Sequence, residues 1–178
     1  MIHFQSCYSK EDIYFIALYD LYVRSFPENE RRSHEGFVQL FEKQNSFYCT
    51  VLMHENRFVG FLTFWEFNHF VYIEHFAISP QQRGQSLGSS TLKQFMKSIS
   101  KPIVLEVELP ESDTAKRRIR FYECLGFCVC NHSYKQPPYD KNKENVPMLL
   151  MCSKKDFLEK NFEETRNTLY KYVYSQEV

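Results

Sequence analysis

A carboxylate and a candidate phosphate-binding turn lie close together in residues 71–88. An apolar stretch rich in β-branched and aromatic residues carries Glu74 in its middle and stops at Pro80. A polar turn with Arg83 follows, and a helical pattern of apolar residues begins around Gly88. The first N–H groups of a helix lack internal partners and carry partial positive charge. This order of strand, turn and helix start predicts a phosphate-bearing ligand, with a carboxylate a few residues upstream.

The elements that would position these residues follow from hydrophobic periodicity. Strands are predicted at 2–6, 47–54, 58–67, 70–79, 103–109, 127–134 and 146–152. Helices are predicted from Ser9, from Ser33, after Gly88, from Ser112 or Asp113 to Gly126, and at about 154–174. The order β-α-α-β-β-β-α-β-α-β-β-α indicates an α/β (α+β) fold with a mixed, mostly antiparallel seven-stranded sheet flanked by helices.

Local patterns add three expectations. Ile13 and Ile16 belong to the apolar set of the first helix and should be buried. The charged segment that follows this helix, FPENERRSHEG, is predicted as a surface loop. His75 should point to the face of its strand opposite Glu74, unless a bulge intervenes.

Length and composition place the chain among ordinary globular proteins. The 178 residues fit a single domain, 1–178, with the C-terminal helix packed on it. Basic and acidic residues balance at 22 each, which argues against nucleic-acid binding. No segment approaches the about 20 apolar residues of a membrane span, and the N-terminus lacks a signal peptide pattern. We therefore expect a cytoplasmic protein without a membrane partner.

The six cysteines raise the question of a metal site. Cys124, Cys128 and Cys130 are close in sequence, and thiolates bind zinc well. Cys128 and Cys130 fit one face of a single strand, however, and no Cys/His pair has zinc spacing. We predict reduced thiols and no metal.

Two motifs together carry a family resemblance. VYIEHFAISPQQRGQSLGSSTL (71–92) and, after another strand, RRIRFYECLGF (117–127) resemble the GNAT superfamily of acyl-CoA N-acyltransferases. The first is similar to the pyrophosphate loop of that family, (Arg/Gln)-x-x-Gly-x-(Gly/Ala). Arg83 and Gly88 match this pattern, whereas Ser86 replaces the middle glycine. A serine there still offers its backbone N–H, with less freedom for close approach to phosphate.

The resemblance implies acetyl-CoA as co-substrate, with no metal, and a sheet that splays beside a bulge on the fourth strand after Glu74. It implies that Glu74 takes the proton of the ammonium as general base and that Tyr122 protonates the leaving thiolate. The implied coenzyme-binding residues are Phe76, Ala77, Ile78, Arg83, Gly84, Gln85, Ser86, Leu87, Gly88 and Ser89. Ala115 stands where many members have an asparagine that contacts the coenzyme, so that contact is either missing or supplied by Lys116, Arg117 or Arg120.

Each of these roles has a structural alternative. Glu74 could point to solvent from a half-exposed strand, and Tyr122 could be a packed aromatic residue whose hydroxyl has found a partner. Lys116, Arg117 and Arg120 could form a solvated helix face.

Acidic and aromatic residues are the candidates for binding the amine that accepts the acetyl group. Glu28, Glu30 and Glu106 would supply negative potential for a cationic amine, and Glu108 shares the parity of Glu106 on its strand. The segment YKQPPY, with Tyr134 and Tyr139, reaches the region where the family often closes its acceptor pocket. Its alternative is a rigid surface turn.

The predicted function is transfer of the acetyl group of acetyl-CoA to a primary amine by direct attack in a ternary complex. The alternative is a catalytically silent acyl-CoA-binding sensor or interaction module on the same fold. A small molecule or a peptide could supply the amine, and the sequence fixes neither the acceptor nor the acyl chain length. Apolar residues expected to be exposed on the last strands and the C-terminal helix indicate a homodimer.

Overall fold

The computed structural model describes residues 1–43, 45–140 and 143–176. They form two compact units, Met1–Lys101 and Pro102–Val178. The strand pairs within each unit are antiparallel and five α-helices accompany the strands, which confirms the predicted α/β fold class with a mostly antiparallel sheet. The described residues form eight strands rather than the predicted seven. That the whole chain acts as a single N-acetyltransferase domain stays a prediction.

In the first unit, four antiparallel strands lie in the order β1–β2–β3–β4. Its elements are β1 (His3–Cys7), α1 (Phe15–Ser25), α2 (His34–Lys43), β2 (Phe47–His54), β3 (Arg57–Glu66), β4 (Val71–Ile78) and α3 (Leu87–Ser98). Glu55 and Asn56 join β2 to β3 with φ of 49° and 60°. Two central residues with positive φ are typical of a type I′ turn, whose twist matches that of the flanking strands. The predicted hairpin is confirmed.

Aromatic side chains fill much of the core of this unit. The rings of Tyr22 and Phe37, from α1 and α2, lie 4.8 Å apart, and those of Phe47 and Trp65 lie 5.3 Å apart. A separate aliphatic cluster joins α3 to the strands: Ile2, Leu52, Val59, Ile78 and Leu87. The contacts of both clusters hold β3 and β4 in place, and these two strands carry the residues of interest.

The first helix begins later than predicted. The Asp12 carboxylate accepts the N–H of Tyr14 at 2.9 Å, and α1 starts only at Phe15. Phe15 and Leu18 face the core, whereas Ile13 and Ile16 are 82% and 81% exposed. The expectation that these isoleucines are buried was wrong, because the larger aromatic and leucine set of α1 occupies the inward face.

Strand β4 carries a bulge at Glu74. Thr63 pairs with His75 and Phe64 pairs with Ile73, so Glu74 is an extra residue without a partner on β3. A bulge bends a strand and redirects its side chains. Three residues further along, β3 approaches β4 closely, since a Cβ on Gly60 would lie 2.2 Å from the carbonyl oxygen of Ala77. A glycine at this position permits the spacing of the two strands.

The second unit is built around β8. This strand pairs with β5, and the short strands β6 and β7 also pair with it. Its elements are β5 (Ile103–Glu108), α4 (Asp113–Glu123), β6 (Cys128–Val129), β7 (Tyr134–Gln136), β8 (Val146–Cys152) and α5 (Phe157–Thr168). The predicted strand 127–134 is divided in the structure: β6 covers only Cys128–Val129, and β7 begins at Tyr134, the last predicted strand residue, and extends into the predicted loop.

Helix α4 begins and ends with the residues that the sequence predicted. The Ser112 hydroxyl accepts the N–H of Ala115 at 3.0 Å, so Ser112 is the N-cap. Gly126 closes the helix at a φ of +93°, in the left-handed region that glycine tolerates best.

Helix α5 continues as a single π-helical turn over Leu169–Val173. There the N–H of Tyr174 donates to the carbonyl oxygen of Leu169, five residues back, at 3.2 Å. The turn places Tyr174 in the interior, where it is buried.

The described helices include none long and apolar enough to cross a membrane. Among the same residues, the exposed large apolar side chains are Met1, Tyr8, Ile13, Ile16, Tyr48 and Tyr172. None of them lies on β6, β7 or β8, whereas Tyr172 lies on the helical segment after α5, so of the two regions expected to expose apolar residues only the C-terminal helix does so. The homodimer itself stays a prediction.

Candidate active site

The bulge on β4 turns Glu74 into the interior, where its side chain is 0% exposed. Arg32 Nη1 donates to Glu74 Oε1, and Trp65 Nε1 donates to Glu74 Oε2 at 2.8 Å. The Arg32 side chain is itself only 7% exposed, and its guanidinium carbon lies 5.9 Å from the centre of the Trp65 ring. Glu74 is therefore one half of a buried ion pair, and it does not point to solvent.

The segment carrying Arg32 was predicted as a surface loop, and for this residue the prediction was wrong. The backbone N–H of Arg32 donates to the hydroxyl of Tyr22 at 2.7 Å, which fixes the chain beside α1. After it, the Ser33 hydroxyl accepts the N–H of Gly36 at 3.1 Å and starts α2 as predicted. Arg32 enters the core because these two contacts anchor the segment on both sides.

The environment sets the protonation of Glu74. Burial alone would raise the pKa of this carboxyl, but the Arg32 charge and the hydrogen bonds from Arg32 and Trp65 outweigh burial and leave the pKa lowered. A carboxylate with a lowered pKa and a donor on each oxygen is a weak proton acceptor. The role of Glu74 as general base stays a prediction.

His75 lies on the same side as Glu74, with Nδ1 4.0 Å from Glu74 Oε2, because the bulge intervenes. Burial lowers the pKa of His75 to about 4, so the ring is neutral at physiological pH. Nε2 lies 3.1 Å from the carbonyl oxygen of Glu30, which requires the proton on Nε2. Nδ1 then faces the Thr63 hydroxyl, at 3.5 Å. His75 is thus a core residue that ties the strands to the segment after α1.

The candidate phosphate loop connects β4 to α3. A 3₁₀ turn over Pro80–Gln82 is followed by Gly84 with a φ of +81° and by Ser86, the N-cap of α3, with a φ of 57°. The first α-helical hydrogen bond runs from the N–H of Ser90 to the carbonyl oxygen of Ser86 at 3.0 Å. The N–H groups of the residues between them have no partner within the helix turn, which is the geometry that binds anions.

Ser86 has a left-handed backbone conformation, which favours glycine at this position of the loop. A left-handed backbone costs a non-glycine residue about 1 kcal/mol or more, whereas glycine adopts it freely. Ser86 nevertheless adopts the left-handed conformation at the start of α3.

Arg83 is exposed, and its Nε donates to the carbonyl oxygen of Ile78 at 3.2 Å. The side chain therefore links the loop to the end of β4. Of the β4 residues predicted to bind the coenzyme arm, Phe76 is partly buried, whereas Ala77 and Ile78 are buried. The structure brings Phe76, Ala77, Ile78 and the predicted loop residues Arg83 to Ser89 into one continuous stretch of the first unit.

Tyr122 lies in the second unit, on the buried face of α4. Its ring is 5.2 Å from that of Phe121 and 5.7 Å from that of Phe127. Burial raises the pKa of Tyr122 to about 12, with the Arg118 charge opposing the shift. The phenol is therefore protonated at neutral pH, as a proton donor must be. Its role as general acid stays a prediction.

The three basic residues considered in place of the missing asparagine, Lys116, Arg117 and Arg120, are exposed on α4. Arg117 Nε donates to the carbonyl oxygen of Asp113 at 3.3 Å, a contact within the helix. Ala115 is buried and offers no polar side chain. These positions fit a solvated helix face.

A carboxylate with tyrosine donors lies elsewhere in the second unit. The hydroxyl of Tyr134, on β7, donates to Glu106 Oε1 at 2.5 Å, and the hydroxyl of Tyr174 lies 2.9 Å and 2.8 Å from the two oxygens of Glu106. The ring of Tyr139 lies 4.9 Å from that of Tyr174. Burial and the Glu106 charge raise the pKa of Tyr134 well above its ordinary value, so its hydroxyl stays protonated. Three residues predicted for substrate binding, Glu106, Tyr134 and Tyr139, therefore share one cluster.

The other predicted acceptor residues are arranged differently. Glu28 and Glu30 form a 3₁₀ turn in the first unit; Glu28 is exposed, and Glu30 is engaged through its carbonyl oxygen with His75. Glu108 pairs with Arg118 of α4, at 2.7 Å.

Sequence reasoning missed Arg32, Trp65 and Tyr174. Trp65 is the chain's single tryptophan and falls on the same strand face as its buried neighbours, which is a usable signal. Arg32 lies in a charged run and Tyr174 follows an irregular turn, so local pattern gives no signal for either.

Residues 15–127 match the acetyltransferase (GNAT) family, and the chain belongs to this family. A candidate acetyltransferase of Bacillus subtilis (strain 168), YjbC, is 31% identical over 117 residues, which is 64% of this chain. The match spans 60% of the length of that relative.

Solved structures agree on the fold. A candidate GNAT acetyltransferase from Bacteroides thetaiotaomicron superposes with a TM-score of 0.93 at 35% identity, over 98% of this chain and 99% of that one. A GNAT acetyltransferase from Elizabethkingia anophelis, solved with acetyl-CoA bound, has a TM-score of 0.59 at 18% identity, covering 85% and 96% of the two chains.

The buried ion pair yields a stability prediction. Glu74→Gln leaves the Arg32 charge buried without its partner and should reduce the free energy of unfolding by about 3 kcal/mol or more at neutral pH. Because the folded pKa of Glu74 is lowered, its contribution is present above the ordinary glutamate pKa and is lost as pH falls through the folded value. Urea unfolding should therefore show a constant difference between the two proteins from neutral pH down to the ordinary glutamate pKa of about 4.3, and convergence only as the pH falls below that value.

Glu66→Gln is the matched control, because Glu66 forms an exposed pair with Lys101 at 2.9 Å. It should cost less than about 1 kcal/mol. Equal losses for the two variants would contradict the assignment of Glu74 as a buried structural charge.

Proposed function

We propose that this protein transfers an acetyl group from acetyl-CoA to a primary amine. The observation that carries the proposal is the loop between β4 and α3, in which positive φ angles at Gly84 and Ser86 lead into a helix start with open N–H groups. The phosphates of the coenzyme carry the charge that a helix N-terminus stabilises. Arg83 adds a guanidinium suited to pairing with a phosphate.

Relatives support the choice of coenzyme. The Elizabethkingia anophelis enzyme was solved with acetyl-CoA, and an aminoglycoside 6′-N-acetyltransferase of the same fold was solved with coenzyme A, at a TM-score of 0.59. On this chain, the pantetheine arm would pair with backbone groups of Phe76 to Ile78 at the end of β4.

The transfer needs two protons removed from nitrogen and one supplied to sulfur. An ammonium acceptor first releases a proton to solvent. The neutral amine nitrogen then attacks the thioester carbon and gives its second proton to solvent, while the carbon–sulfur bond breaks and the thiolate takes a proton as it leaves. We assign that proton to Tyr122, whose phenol is kept protonated by burial. Solvent reprotonates the tyrosinate afterwards.

Glu74 contributes in this scheme by fixing the bulge of β4. Its oxygens are held by Arg32 and Trp65, so the strand end that leads to the loop is anchored from inside the first unit. If Glu74 instead took the ammonium proton, as the resemblance implies, Glu74→Gln would depress the rate least at alkaline pH, where the amine is already neutral. A loss of rate that is constant across pH supports the positioning role.

The acceptor is proposed to bind as an ammonium near Glu106. The hydroxyl groups of Tyr134 and Tyr174 donate hydrogen bonds to the Glu106 carboxylate, and the ring of Tyr139 beside Tyr174 adds an aromatic surface that favours cations. A relative at 15% identity is named a ribosomal-protein-S18-alanine N-acetyltransferase, so amines on both small molecules and proteins belong in an acceptor screen.

A catalytically silent acyl-CoA sensor is the second candidate. The observation in its favour is the engagement of both Glu74 oxygens, which leaves the proton acceptor unassigned among the described residues. Release of free thiol from acetyl-CoA in the presence of an amine panel separates the two: coenzyme binding without thiol release for any amine would support the sensor.

Coenzyme binding is the first prediction of this scheme. Acetyl-CoA at about a hundredfold excess over its Kd should stabilise the protein by about 2.7 kcal/mol, measured as a rise in Tm. Arg83→Glu should abolish the shift, because the substitution places a negative charge beside the phosphates. Arg57→Glu makes the same charge change at the exposed hairpin turn and should keep the shift. An unchanged shift in Arg83→Glu would exclude the loop as the pyrophosphate site.

Tyr122→Phe tests the general acid. The substitution keeps the ring packing, so Tm and coenzyme affinity should stay near those of the parent, while kcat should fall by about 10²–10⁴-fold. Tyr134→Phe is the comparison, since it also removes one buried hydroxyl and should act on the KM for the amine. Full turnover in Tyr122→Phe would return this tyrosine to a packing role.

Glu106→Gln tests the acceptor site. Loss of the charge should raise the KM for the amine by about 10-fold or more, in line with the loss of a charged hydrogen bond, with acetyl-CoA binding unchanged. Glu108→Gln removes a charge from the same strand, where it pairs with Arg118, and should leave the KM close to that of the parent. Equal increases in KM for the two variants would contradict a specific contact between Glu106 and the amine, since any negative charge on this strand would then have the same effect.

A further inference from the structure

Three side chains that bind transition metals converge in the second unit, apart from the Glu106 cluster and Tyr122. They are Cys130, just after β6, His132, two residues later, and Glu159, in the first turn of α5. One ligand atom from each lies within 4.8 Å of the other two. The three come from segments about 30 residues apart in sequence, which is why spacing rules did not predict the group.

Contacts with α5 fix the orientation of the His132 imidazole. The ring of His132 stacks on that of Phe162, at 4.5 Å between centres and 16° between planes. His132 Nε2 then lies 3.5 Å from Glu159 Oε2. Phe162 is buried and follows Glu159 by one turn of α5, so one helix presents both the carboxylate and the surface that orients the imidazole.

The backbone that carries the Cys130 thiol is anchored to β8. Cys130 is buried, and its backbone N–H donates to the carbonyl oxygen of Leu150 on β8 at 2.8 Å. A nearby carboxylate disfavours loss of the proton from a thiol, because two negative charges would then lie close together. A divalent cation bound between the two groups favours the thiolate instead.

Distances fit a tetrahedral ion. Zinc bonds of about 2.3 Å to sulfur and 2.0–2.1 Å to nitrogen or oxygen place neighbouring ligand atoms roughly 3.3–3.6 Å apart. The His132 and Glu159 pair is at that separation already. Their side chains are 45% and 46% exposed, so they can move by the further ångström that the sulfur requires.

We propose that Cys130, His132 and Glu159 bind one divalent cation of the zinc class, with water as the fourth ligand. The thiol releases its proton to solvent as the metal–sulfur bond forms. A thiolate and an imidazole select zinc-like ions over magnesium and calcium, which prefer oxygen ligands. The ion would tie the segment after β6 to the start of α5, and it revises the sequence-based expectation of a metal-free protein.

The test uses the full chain after treatment with a chelator. Zinc binding is followed by competition with a chromophoric chelator, and Co²⁺ serves as a second probe because a thiolate ligand gives a sulfur-to-cobalt absorption band. We expect one ion per chain, a thiolate band with Co²⁺, a rise in Tm with Zn²⁺, and no response to Mg²⁺.

Three ligand variants and two matched controls locate the site. Cys130→Ser, His132→Asn and Glu159→Gln should each weaken zinc binding, by about 100-fold or more for Cys130 and His132. Cys128→Ser removes an exposed cysteine nearby, and Glu163→Gln removes a carboxylate one turn along α5; both should bind zinc as the parent does.

Parent-like zinc affinity in His132→Asn and Glu159→Gln would overturn the proposal, as would the absence of stoichiometric binding or of a thiolate band. The exposed positions of His132 and Glu159 keep these variants foldable if Cys130→Ser is not. The readouts do not depend on acetyl transfer, so failure of this proposal and failure of the proposed function are distinguishable.

Discussion

The buried pair of Arg32 and Glu74 is the interaction on which the first unit depends. Removing two charges from water costs several kcal/mol per ion, and only a well-made pair with additional hydrogen bonds offsets that cost. Trp65 supplies such a bond to the carboxylate, while the hydroxyl of Tyr22 holds the arginine backbone. One bulge residue therefore connects β4 to β3, to α1 and to the segment between α1 and α2. Strand β4 ends at Ile78, four residues after Glu74, and the loop that leads into α3 follows it directly, so the position of the loop depends on the strand that the ion pair anchors.

In the proposed scheme, coenzyme binding and proton donation use groups of different units. The first unit carries the candidate phosphate loop and a carboxylate with a donor on each oxygen, whereas the second carries a protonated tyrosine and a carboxylate that accepts hydrogen bonds from tyrosine hydroxyls. Burial acts on these groups in one consistent sense: it keeps the tyrosines protonated and His75 neutral. Ionised groups in the interior persist only where a partner stabilises them.

Much of the fold follows from the sequence because its signals are local. The Glu55–Asn56 turn, the Ser33 and Ser112 caps and the glycine after α4 each act over a few residues, and all were predicted. The start of α1 was predicted wrongly because two isoleucines and an aromatic set compete for one helix face, and packing decides between them. The loop of the candidate site was predictable from Arg83 and the helix start. Arg32, Tyr174 and the environment of Glu74 were not, because each depends on a contact across more than 40 residues.

The π-helical turn at Leu169–Val173 sets the phase of the residues that follow it. An α-helix advances by about 100° per residue, and a π turn accommodates one extra residue without breaking the helix. Loss of one residue from this turn would restore a regular α-helical register and rotate the Tyr174 side chain by about that angle, away from Glu106. The geometry of the Glu106 cluster thus depends on the number of residues in one turn. Deleting one residue of this turn would leave Glu106, Tyr134 and Tyr174 in the chain, yet it would break the contact between Tyr174 and Glu106.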